Sequence, residues 1–126
     1  MLKYITEDEY KELLGKDSIP NDFNNLVIKA SSYINYNTHG RIDEKDVQEK
    51  VKYTTCLIID LIDEEDTKIS EIGNLKSQNI EGWSESYATP EEIKKDYSSK
   101  KYEVLRENLW DVIGIDGNPL LYSGVC

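Results

Sequence analysis

Hydrophobic residues recur at helical spacing in four separate stretches of this chain, each marked by a recognisable start or stop. Ile5, Tyr10, Leu13 and Leu14 give a first short helix a narrow apolar side. Thr6-Glu7-Asp8-Glu9 reads as its capping box, with the Thr6 hydroxyl accepting from the Glu9 amide while Glu9 reaches back. Gly15 ends it, because glycine takes the left-handed conformation at no steric cost. A second helix opens near Pro20-Asn21-Asp22 and carries Phe23, Leu26, Val27, Ala30, Tyr33 and Ile34 at i, i+3, i+4, i+7 spacing. Thr38-His39-Gly40 closes it, with Gly40 as the left-handed residue. The third helix has the clearest pattern. Asp43 or Asp46 caps it, and Val47, Val51, Thr54, Ile58, Leu61 and Ile62 form a continuous face. Tyr53, Cys56, Leu57 and Ile59 widen that face, so this helix is expected at the centre, touched on more than one side.

The period changes between Leu75 and Ala88. The run from Ser77 to Tyr87 is poor in helix formers and centres on Glu81-Gly82, which predicts a short β-hairpin over about 75–88. A lone hairpin is marginal in water and needs helices or a neighbouring subunit to hold it. Thr89-Pro90-Glu91-Glu92 then opens a fourth helix: N-cap Thr, Pro at the first position and acids in the first turn. It carries Ile93 and Tyr97, then Tyr102, Leu105, Leu109 and Val112, and a slip in spacing around Ser98-Ser99-Lys100-Lys101 predicts a bend or break. Gly114 to Pro119 is a turn-rich stop. The fold class is therefore mainly α: a small four-helix bundle with a short β-hairpin before the last long helix. One domain spans residues 1–126, with a C-terminal tail over 119–126.

That tail reads Leu-Leu-Tyr-Ser-Gly-Val-Cys from Leu120 to Cys126, although terminal residues are usually polar unless something ties them down. Leu120, Leu121, Tyr122 and Val125 are expected to dock on the chain's own core or on another chain. The contrast with the rest is sharp, because the 126 residues carry a net charge of −10. This charge disfavours nucleic acid as a direct ligand, which needs clustered Lys and Arg, and equally an anionic membrane surface. The sequence lacks a bilayer-spanning apolar stretch and a signal peptide, and is expected to work in a cytosol. Nine tyrosines and two tryptophans argue against wholesale disorder. Of the two cysteines, Cys56 lies in an apolar helical run and reads as a small buried hydrophobe, and no metal-ligand spacing is present.

Catalytic chemistry is thin. The single histidine, His39, reads as a helix-end residue, with neither a second histidine nor a cysteine partner for a metal or a nucleophile relay. Phosphate-loop, dinucleotide and nucleophile-elbow patterns are missing. Asp60, Asp63, Glu64, Glu65 and Asp66 crowd what reads as the C-terminal end of the third helix. Carboxylates there oppose the helix dipole and one another, costing on the order of 1 kcal/mol in sum. They read as a solvated face or a fraying helix end, or as a negative surface that repels DNA or docks a basic partner. A calcium loop starting at Asp63 is excluded, because Lys68 stands where such a loop needs glycine. Trp83 and Tyr87, on or beside the hairpin, are interface anchors if exposed and core cover otherwise.

Taken in order, several of these residues resemble a family. Tyr4-Ile5-Thr6, Glu9-Tyr10, the helix end Thr38-His39-Gly40-Arg41, Gly82-Trp83-Ser84 in the hairpin and the closing Leu120-Leu121-Tyr122-Ser123-Gly124-Val125 are similar to the small head–tail connector (adaptor) proteins of tailed bacteriophages and prophages of Gram-positive bacteria. Family members often carry Arg where Ser123 stands. The resemblance implies a helical bundle with a projecting β element, without enzymatic activity or cofactor. It also implies a ring of about a dozen copies beneath the portal, in contact with portal protein and a tail-completion protein and extending the DNA channel. DNA would pass through without being bound specifically. The chain would be made in the host cytoplasm and end in the virion. Two other readings fit the composition: an acidic DNA mimic or regulatory protein binding a basic partner, and a small hydrolase using a carboxylate pair in a deep pocket.

Overall fold

The computed structural model describes residues 3–77, 90–115, 117 and 119–121, with the backbone alone for 72–77. Four helices follow one another: α1 (Glu7–Leu14), α2 (Phe23–Asn37), α3 (Glu49–Ser77) and α4 (Pro90–Leu109). No strand occurs among the described residues, and an isolated antiparallel bridge joins Ile113 to Pro119.

Local chemistry explains the boundaries. At α1 the Glu9 amide donates to Thr6 Oγ1 at 3.2 Å and the Thr6 amide donates to Glu9 Oε1 at 3.0 Å, so the capping box is complete. Gly15 follows in the left-handed conformation at φ 65°. The end of α2 differs in detail from expectation: His39 (φ 55°) and Gly40 (φ 70°) are both left-handed, and the Gly40 amide closes the turn on Asn35 O at 3.1 Å. The start of α3 is a correction. Neither Asp43 nor Asp46 caps it. Asp43 Oδ1 instead accepts from the Lys45 amide at 2.9 Å, and the Asp46 amide donates to Asp43 O at 3.1 Å. This self-contained turn competes with the helix, which begins only at Glu49.

The far end of α3 corrects the hairpin. Residues 75–77, assigned to its start, are helical, and the remainder of the expected hairpin, with Trp83 and Tyr87, lies outside the described residues. At 29 residues α3 is roughly 44 Å long. The break that the slip near Ser98–Lys101 left open is also corrected, since α4 runs unbroken from Pro90 to Leu109. Lys101 fills the gap in the apolar spacing. Its ammonium sits 5.3 Å from the centre of the Tyr33 ring and 3.5 Å from Glu65 Oε1, and its side chain is 18% exposed. A lysine stem can cover apolar surface while its charged head finds a partner.

As the width of its apolar face predicts, α3 is central and packs against each of the other three helices. α4 lies antiparallel to it: Lys101 faces Glu65 at one level and Asp111 faces Lys50 at 2.9 Å near the other end. Ile34, Ile58, Ile59, Leu105 and Leu109 are fully buried between the layers. Burying a side chain of this size stabilises by about 1.5–3 kcal/mol. Tyr10 of α1 meets Phe23 of α2 edge-on at 5.3 Å. Cys56 is fully buried as expected, and burial pushes its thiol up to about 12. The buried hydroxyls of Thr38, Thr54 and Thr55 donate to carbonyls one turn back in the chain, at 2.7–2.8 Å.

Candidate functional site

The segment after α4 turns back and is clasped to the end of α2. The Leu120 amide donates to Val112 O at 2.8 Å, and the Ile115 amide donates to Arg41 O at 2.9 Å. From the other side, Arg41 Nη1 donates to Pro119 O at 3.2 Å and to Leu120 O at 3.3 Å. Gln48 Nε2 adds a bond to Ile113 O at 3.0 Å. Gly114 is what lets the two segments of this clasp approach: a Cβ there would stand 2.6 Å from Arg41 Cβ and 2.9 Å from Arg41 O. Leu120 is fully buried in the main core, and Leu121 packs half-buried on the same core. Of the two docking modes open to the tail, these two leucines use the chain's own core. Tyr122 and Val125 lie outside the described residues.

The acidic group is placed differently from the sequence expectation. Since α3 continues to Ser77, residues 60–66 stand in mid-helix, away from the dipole end. Asp60 is an internal fastener, accepting from Tyr10 Oη and, at 3.1 Å, from Lys16 Nζ. Burial and the bond to Asp60 together hold the Tyr10 phenol well above its ordinary range. Glu65 is 13% exposed and pairs with Lys101 across the α3–α4 interface. Asp63 is half-buried, and Glu64 and Asp66 are exposed. The five acids are thus divided between two helix contacts and an open surface. Neutralising Asp63, Glu64 and Asp66 together is expected to leave the melting temperature unchanged or slightly raised, because like charges at i, i+3 repel by a few tenths of a kcal/mol per pair. A clear fall in a thermal melt would mean that one of them holds a structural partner.

A second charged fastener joins α1 to α3, where Lys52 Nζ donates to Glu9 Oε2. That hydrogen bond holds the Glu9 carboxyl below its ordinary 4.5, against the opposing effect of burial. A carboxyl lowered on folding contributes stability above its unfolded value, and this is lost as the pH falls through the folded one. The melting temperature of Glu9→Gln should therefore lie below that of the parent at neutral pH. The gap should close as the pH drops below about 4. A gap that stays constant with pH would show that the pair contributes nothing through charge.

Sequence reasoning passed over one surface. Trp110 is 69% exposed, Tyr102 49% and Tyr53 39%, and Trp110 separates two open depressions. Tyr102, Arg106 and Trp110 recur at i, i+4 and i+8, out of phase with buried Leu105 and Leu109. That second stripe was the available signal.

Among the described residues no group of three or more His, Cys, Asp or Glu could hold a metal ion, and no helix is long and apolar enough to cross a membrane. His39 is exposed at its left-handed position. Comparison with family models, curated proteins and solved structures found no match.

Proposed function

We propose that this chain is a non-enzymatic structural subunit of a phage or prophage head–tail connector, closing as a ring between the portal and the tail. Its partners on this reading are further copies of itself, portal protein and a tail-completion protein, with DNA passing through the channel without being bound specifically. It assembles in the host cytoplasm and resides in the virion. One observation supports the reading above others: two motifs of the resemblance, 79 residues apart in sequence, meet in space. Arg41 from Thr38-His39-Gly40-Arg41 holds the carbonyl of Leu120 from the closing motif at 3.3 Å. A third motif, Tyr4-Ile5-Thr6, joins the same helix, with the Tyr4 amide donating to Ser31 Oγ at 3.0 Å. Motifs spread through the chain thus have a common structural role.

On this reading the net charge of −10 keeps DNA from sticking to a channel wall. Trp83, Tyr87, Tyr122 and Val125 supply contacts between subunits. Sedimentation velocity of the chain mixed with portal protein from the same phage or prophage tests it. The expected result is a faster-sedimenting complex containing several copies of the chain per portal. Two independent boundaries at every ratio would overturn it.

A further inference from the structure

We infer that the Trp110 surface is the docking site for a basic amphipathic helix of another protein. Exposure of this kind is unusual, since a tryptophan 69% in solvent leaves most of a large apolar side chain uncovered. It also does not stand alone. One flanking depression is walled by Tyr102, Pro119 and Leu121, the other by Leu13 and Tyr53. Trp110 is therefore a ridge with an apolar wall on each side. From Tyr102 to Trp110 the stripe runs eight residues, roughly 12 Å, which matches two turns of a partner helix. Apolar anchors at i and i+4 of such a helix would straddle the ridge.

Charge selects the partner's sign. Lys50 and Asp111 pair with each other at 2.9 Å, which leaves the two depressions rimmed by Glu49, Glu103 and Glu107 against Arg106. The surface is acidic on a chain of net charge −10. A second copy would bring the same acidic rim and repel, whereas a helix with lysine or arginine beside its apolar stripe meets complementary charge. This inference stands independently of the connector reading.

The test titrates the whole chain with two synthetic helical peptides of equal lysine content, one with leucine along one face and one with serine at those positions. Calorimetry is expected to show the leucine peptide binding more tightly, and more weakly as salt is raised. Trp110→Ala should weaken it by about 30-fold. Tyr102→Ala should weaken it less, and Tyr36→Ala, at an exposed tyrosine on α2, should not change it. All three side chains are exposed, so a thermal melt like that of the parent is expected for each variant. Equal binding of both peptides, unchanged binding by Trp110→Ala, or no binding would overturn the inference. So would concentration-dependent self-association that Trp110→Ala abolishes, which would make the occupant a second copy. None of these outcomes bears on whether the chain forms a ring with portal.

Discussion

Replacing Leu120 with alanine is expected to destabilise the isolated chain by about 3 kcal/mol, as deletion of a fully buried leucine does when the cavity cannot collapse. For a domain of this size that corresponds to a fall in melting temperature on the order of 10 °C. The reason is geometric. Leu120 is fully buried, its amide is bonded to Val112 O and its carbonyl to Arg41, so the backbone around it is fixed on both sides and cannot move inward to fill the space. Urea unfolding of the monomer measures the effect directly. Serine at Tyr122 and Val125, in contrast, is expected to impair assembly more than monomer folding, since those residues are proposed to face other subunits. A Leu120→Ala loss below about 1 kcal/mol would mean that the clasp is loose and that the leucine belongs to an interface instead.

Gly114→Ala should be the next most damaging change, at roughly 2 kcal/mol, the usual scale of overpacking at a tight contact. The added methyl would meet Arg41 Cβ at 2.6 Å and Arg41 O at 2.9 Å. These are backbone and near-backbone atoms rather than the end of a flexible side chain, so relief requires the two segments to part. Separation would break the bond from the Ile115 amide to Arg41 O. Amide exchange at Ile115 should accelerate in the variant beyond the quickening of the α3 core amides, which follows only the loss of global stability. Unchanged protection at Ile115 together with a melt like the parent's would contradict the close approach.

Both variants probe the part of the fold that was least legible beforehand. α1 could be read almost to the residue, because its capping box and Gly15 act locally. The breadth of the apolar pattern around Cys56 placed α3 at the centre correctly. Long-range partners were what local signals could not supply. Asp43 looked like a helix cap, yet its carboxylate is taken by the amide two residues on. Lys101 looked like a break in α4, yet Glu65 and Tyr33 on two other helices give it a half-buried place. The same pairing explains the acidic run, whose bases stand on α4 and on Lys16 rather than beside it in sequence. The tail's apolar character was plain, while its docking through Arg41 and Gly114 depends on a turn 79 residues before Leu120. Trp110 escaped notice because Leu109 beside it satisfies the buried pattern, and only the offset with Tyr102 and Arg106 marks a second face.

The central claim is that this helical domain, with its clasp closed in cis, is a repeating unit stacked on a portal. Negative-stain microscopy of portal particles with and without the chain tests it most directly. The account predicts an added axial layer of density, rotationally symmetric and centred on the channel, in averages of the mixture. Averages indistinguishable from portal alone, at concentrations where the chain is in excess and folded, would contradict it.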